Sequence, residues 1–196
     1  MRSRFYIIPI FSLSILVGQP SFNAATIASG SNNYSSVYAL DLDQDGDIDF
    51  LSASEYGAVR WHKNNGSQNF TSILIANNDG DMSVFAIDMD NDGDIDVLSA
   101  SRNDDKIAWY ENNGSESFTA RTISTSADGA HTVFAIDMDK DGDIDVLSAS
   151  EMDDKIAWYE NNGSQSFTAR TISTNCLLYT SPSPRDVEES RMPSSA

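Results

Sequence analysis
The stretch DMDNDGDIDVLSAS, residues 88–101, sets Asp at every second position and then runs directly into an apolar segment. Nearly the same string stands at 41–54 (DLDQDGDIDFLSAS) and at 137–150 (DMDKDGDIDVLSAS). Like charges this dense repel. Two carboxylates about 4 Å apart cost roughly 4 kcal/mol at an effective dielectric of 20. A loop that gathers four of them needs a cation.

Each copy reads D-x-D-x-D-G-x-x-D, with carboxylates at positions 1, 3, 5, 7 and 9. These are Asp41, Asp43, Asp45, Asp47 and Asp49 in the first loop. The second has Asp88, Asp90, Asp92, Asp94 and Asp96, and the third Asp137, Asp139, Asp141, Asp143 and Asp145. Positions 1, 3 and 5 of a tight loop point inward, and Gly at position 6 allows the sharp turn. Position 7 offers its backbone carbonyl, and position 9 closes the shell from the next strand. Hard Ca²⁺ takes six to eight such oxygens, whereas Mg²⁺ prefers fewer carboxylates and retained waters. One Ca²⁺ per unit, three in all, is the expectation. An EF-hand is excluded, because its bidentate Glu at position 12 is here Ser52, Ser99 or Ser148. A solvated acidic turn would explain one copy; it does not explain three with unchanged spacing.

Working outward, the first Asp of the motif recurs at steps of 47 and 49 residues, and Trp61, Trp109 and Trp158 at steps of 48 and 49. Periods of this length mark repeat architectures. In the second unit, SVFAID (83–88) leads into the acidic loop and IDVLSAS (95–101) leaves it. KIAWYEN (106–112) then turns through Asn113-Gly114 into SFTARTIS (117–124). Asn-Gly between β-rich segments predicts a tight hairpin with both central residues at φ > 0. No helical periodicity appears after the N-terminal segment.

Four antiparallel strands per unit predict an all-β chain, a β-propeller of four-stranded blades with three complete blades and an incomplete ring. A sandwich or β-solenoid fits the four-strand period less directly. The blades fall at about 33–77, 80–125 and 129–175, within a repeat region of 21–175. SFNAATIAS (21–29) matches the fourth strand SFTARTIST of later units, so it is expected to be an orphan outer strand. Such a strand would cover the edge of a closing blade, and the chain reads as the front of a longer propeller.

The ends read differently. Residues 5–17, FYIIPIFSLSILV, follow Arg2 and Arg4 and are too short for a bilayer span of about 20 residues, so 1–20 reads as a secretory signal peptide. No clean A-x-A site marks its end. The stretch CLLYTSPSPRDVEESRMPSSA (176–196) reads as an in-frame translation of sequencing-library adapter, a non-native tail. Cys176, the only cysteine, falls in it, so no disulfide staples the repeats. With 30 acidic and 12 basic residues the net charge is −18, which repels nucleic acid and anionic membranes and favours cations. The expected product is secreted or at the cell surface, with no stable membrane insertion once the signal is cleaved.

ALDLDQDGDIDFLSAS, AIDMDNDGDIDVLSAS and AIDMDKDGDIDVLSAS, each followed by a W-x-x-N or W-x-E-N-N-G turn, resemble the VCBS/FG-GAP repeat family. The propeller domains of integrin α-chains are its relatives. That resemblance covers about 21–175 and implies a propeller, commonly seven-bladed, with Ca²⁺ between the first two strands of a blade. The Phe-Gly and Gly-Ala-Pro elements are absent, so the likeness is to the VCBS-type form rather than to the integrin ligand-binding form.

Other candidates point elsewhere. The three Trp are expected to pack between blades rather than to form sugar platforms. His62 and His131 fall at non-equivalent positions with no nucleophile in view, and no catalytic carboxylate pair stands out. No catalytic residue is therefore assigned. The sequons at Asn65, Asn113 and Asn162 belong to hairpin turns. Two functions follow: a non-enzymatic module binding an extracellular protein or glycan, or the propeller part of a secreted polysaccharide-active enzyme whose catalytic residues lie outside this chain.

Overall fold
The computed structural model describes residues 26–27, 33–56 and 58–174; the signal segment 1–20, the tail 176–196 and most of the orphan strand 21–29 lie outside these. Thr26 and Ile27, the described part of that last segment, are not in a strand.

Among the described residues, twelve strands form three sheets. The first holds β1 (Tyr34–Leu40), β2 (Asp49–Ser54), β3 (Val59–Asn64) and β4 (Phe70–Ala76). The second holds β5 (Asp81–Ile87), β6 (Asp96–Ser101), β7 (Lys106–Asn112) and β8 (Phe118–Ser124). The third holds β9 (Ala130–Ile136), β10 (Asp145–Ser150), β11 (Lys155–Asn161) and β12 (Phe167–Ser173). Each is a four-stranded antiparallel meander in chain order, and none closes on itself. Among the described residues no helix is long and apolar enough to cross a membrane.

The sheets stack through their faces. The first strands meet, β1 on β5 and β5 on β9, with β2 and β6 packing beside them. One apolar cluster joins Leu42, Leu51, Val59 and Trp61 of the first sheet to Val84, Val97, Ala108 and Tyr110 of the second. A second joins Met89, Leu98, Ile107 and Trp109 to Val133, Val146, Ala157 and Tyr159 of the third. The period-2 alternation of each strand thus feeds two different cores, one per face. Trp61 and Trp109 are buried in these clusters, so neither is a sugar platform; Trp158 is half-buried.

The hairpin expectation needs correction. β7 and β8 are joined by a five-residue turn closed by Asn113 N–H to the Ser117 carbonyl at 3.2 Å. Gly114 (φ 68°) and Glu116 (φ 60°) are left-handed, and Asn113 is not. The Asn113 Oδ1 instead accepts the Ser115 N–H at 3.0 Å, an Asx turn that holds Asn at negative φ.

Candidate metal centre
The acidic loops are the connections between the first two strands of each sheet, and all three share one conformation. Position 4 is left-handed (Gln44 59°, Asn91 62°, Lys140 66°), and Gly follows at position 6 (Gly46 97°, Gly93 98°, Gly142 99°). Only glycine adopts the second of these at low cost. The position-1 carboxylate holds the turn. Asp41 accepts the N–H groups of Asp45 at 3.1 Å and Gly46 at 2.9 Å. Asp88 does the same for Asp92 and Gly93, at 3.1 and 3.0 Å. Asp137 accepts from Lys140 at 2.6 Å and Gly142 at 3.2 Å. Position 5 then accepts the N–H of position 7 at 2.9 Å in every loop, through Asp45, Asp92 and Asp141.

Position 9 anchors each loop to the sheet. Asp49, Asp96 and Asp145 are buried. Their Oδ1 atoms accept the Asn64, Asn112 and Asn161 N–H at 2.7, 2.7 and 2.8 Å. Their Oδ2 atoms accept the position-2 N–H of Leu42, Met89 and Met138 at 3.3, 3.0 and 3.0 Å. The same three Asn side chains donate to the carbonyls of Ile48, Ile95 and Ile144. Sequence reasoning did not assign them, although an Asn three residues after each Trp was their signal.

Carboxylate oxygens of Asp41, Asp43 and Asp45 lie within 4.8 Å of one another, as do those of Asp88, Asp90 and Asp96, and of Asp137, Asp139 and Asp145. Asp49, Asp92 and Asp141 stand outside these triads. The position-7 side chains go elsewhere: Asp47, Asp94 and Asp143 press against the turn glycines Gly66, Gly114 and Gly163. A Cβ at any of those glycines would meet the carboxylate at 2.5 Å.

Two oxygens test whether a metal fits. Asp43 Oδ1 and Asp90 Oδ1 are buried without a hydrogen-bond partner. A buried, unsatisfied carboxylate oxygen is costly, and a hard cation among these donors would satisfy it. The residues fit a divalent ion. Charge crowding points the same way. Burial, reinforced by the Asp92, Glu111 and Asp88 charges, raises Asp90 above the ordinary carboxylate range. Burial also pushes Asp96 up to about 7, against the pull of its two backbone N–H donors. Asp49 rises for the same reason, with Asp43 adding to it. Burial and crowding of negative charge both disfavour the ionised form here, and a bound cation would favour it.

His62 has a partner that the sequence did not reveal. Ser52 Oγ lies 2.9 Å from His62 Nε2, and both are buried. The other sheets place Ser99 with the Tyr110 hydroxyl, and Ser148 with Tyr159, at the same positions. The contact is therefore a cross-strand bond of the repeat, and burial lowers the His62 pKa.

The FG-GAP-like repeat model matches three times in succession, at residues 41–99, 88–148 and 137–188, so that each match begins on a position-1 Asp. The chain belongs to the FG-GAP-like repeat family. The first two matches each cover an acidic loop, the three strands after it, and the first strand, the loop and the start of the second strand of the next sheet. No curated protein matches the sequence. Among solved structures, the repeats are similar to the V. cholerae biofilm matrix protein Bap1, with 20% identity and a TM-score of 0.49. That likeness covers 71% of this chain and 20% of Bap1, so the chain spans about a fifth of that protein's length.

Proposed function
We propose that the three sheets are successive blades of a β-propeller stapled by Ca²⁺, one ion per acidic loop. The observation that carries this reading is the threefold recurrence of one loop conformation with converging carboxylates, two of the loops holding an orphaned oxygen. Positions 1, 3 and 5 would supply side-chain oxygens, position 7 its carbonyl, and position 9 a carboxylate held ready by the Asn after each Trp. Bound Ca²⁺ supplies positive charge that cancels the repulsion within each loop and fixes the turn between two strands. With no cysteine among residues 21–175, that charge replaces a disulfide as the staple.

The propeller is a rigid, non-enzymatic scaffold, secreted or held at a cell surface, whose loops bind a protein or glycan. Membership of the repeat family and the strongly acidic surface support this reading, and the buried Ser52–His62 pair, out of reach of substrate, is consistent with it. Calorimetric titration of the full chain with Ca²⁺ and with Mg²⁺ tests the metal: Ca²⁺ should bind and Mg²⁺ bind more weakly, and absence of Ca²⁺ heat would sink the reading. Retention of the chain on immobilised glycans or matrix proteins, in Ca²⁺ but not in chelator, tests the binding role; no retention on either would remove it.

A further inference from the structure
The first loop differs from the other two through three substitutions that meet in space. In the second and third sheets, Glu111 and Glu160 stand two residues after Trp, paired with Arg121 and Arg170. Those guanidiniums sit over Trp109 and Trp158 at 5.2 and 5.3 Å. In the first sheet, Lys63 replaces the Glu, and Ile73, opposite Trp61, replaces the Arg. Lys63 itself covers Trp61, at 5.5 Å. A cation on this face thus recurs, but here its own strand no longer supplies the acid that neutralises it.

Lys63 finds two others. Its Nζ lies 2.6 Å from Asp43 Oδ2 and 2.5 Å from Glu116 Oε1. Glu116 belongs to the second sheet's β7–β8 turn, where the first and third sheets carry Gln68 and Gln165. All three line a polar cleft of about 300 Å³ between the sheets. Asp43 is position 3 of the first acidic loop. In the same loop, Trp61 Nε1 donates to Asp49 Oδ2 at 2.8 Å. Asp49 stands outside its triad, while Asp96 and Asp145 complete theirs.

We infer that Lys63 is a built-in counter-cation that makes the first loop the weakest of the three Ca²⁺ sites, so that calcium fills the second and third loops first. Its part depends on calcium occupying the loops as proposed above. A divalent ion entering the first loop must share Asp43 with a full positive charge, and like charges at this range oppose each other even in a high effective dielectric. In the second loop the same position carries Glu111, which adds negative charge beside Asp90. Drawing Asp43 onto the metal breaks its bond to Lys63 and leaves Glu116 as the partner of that ammonium.

The test is a Ca²⁺ titration of the ¹⁵N-labelled full chain, following the amides of Gly46, Gly93 and Gly142, each of which donates to its own loop. The Gly46 midpoint should lie at least about tenfold above the other two, equivalent to about 1.4 kcal/mol. K63M should bring it to within about threefold of them. E116Q breaks the same bridge from its far end and should leave the Gly46 midpoint high, which separates charge from mechanical clasp. Gly46 titrating with the others in the unaltered chain, or not moving in K63M, overturns the inference. Should K63M not fold, E111K carries the test: it should raise the Gly93 midpoint about tenfold, and no change overturns the inference. If no glycine responds to Ca²⁺ at all, the calcium reading itself fails and the role of Lys63 with it.

Discussion

The second and third sheets share the strand sequences DVLSAS, KIAWYEN and FTARTIS, residue for residue, yet they occupy different surroundings. Ile107 is fully buried and its twin Ile156 is 41% exposed; Met89 is 1% exposed and its twin Met138 48%. The cause is which faces are covered. The second sheet is clasped between two neighbours, whereas one face of the third, with Phe134, Ile136, Ile156 and Ile172, is open among the described residues. The first sheet shows the converse, exposing Val37 where its equivalents Val84 and Val133 are buried, and Ile48 where Ile95 and Ile144 are half-buried. Burial in this chain is a property of the neighbour, and the local sequence only makes it possible.

The largest effect should come from the Trp twins. Trp109→Ala removes a fully buried ring and should cost about 3–5 kcal/mol, while Trp158→Ala should cost less than half as much. Chemical denaturation of the two variants in Ca²⁺ measures both, and equal losses would break the comparison between the sheets. Calcium comes next. At about 100 times its Kd it should add roughly 2.7 kcal/mol per site, read as a rise in Tm over the chelated chain, and an unchanged Tm would count against every loop alike.

A smaller effect concerns Asp96. In chelator its folded-state pKa, near 7, lies above the ordinary value of 3.8. The native state therefore binds more protons than the unfolded chain between those limits, so this group's contribution to stability falls as pH rises from about 4 to about 7. Asp96→Asn should flatten that part of the pH–stability profile of the metal-free chain. A profile as steep as before would show that the slope arises elsewhere. The smallest effect belongs to the open face: Met138→Gln should change stability by no more than about 0.5 kcal/mol, against about 2 kcal/mol or more for Met89→Gln in the clasped sheet. A Met138 variant as damaging as its twin would mean that the open face is covered in solution.

Much of the fold was legible because a repeat states its own period. KIAWYEN at 106–112 matches β7 at both ends, and the acidic loops lie between the first two strands of each sheet. Less of the site was legible. That Asp47, Asp94 and Asp143 turn their side chains toward the hairpin glycines depends on a strand pairing some 20 residues away. That Asp49 accepts the Trp61 indole N–H depends on the pairing of β2 with β3. The Asn-Gly pair misled because an Asx bond, set by the full five-residue turn, outweighed the intrinsic preference of the dipeptide.

By itself the sequence determined the all-β class, the number of units, the strand order within each sheet and the choice of hard oxygen donors. These follow from local alternation, glycine placement and charge density, all properties of neighbouring residues. Only the tertiary structure decided which of two identical strands is buried, which carboxylates converge, and that Lys63 reaches both its own loop and the next sheet's turn. Those outcomes depend on what packs across a sheet face, where residues dozens of positions apart set the dielectric, the charge and the available partners.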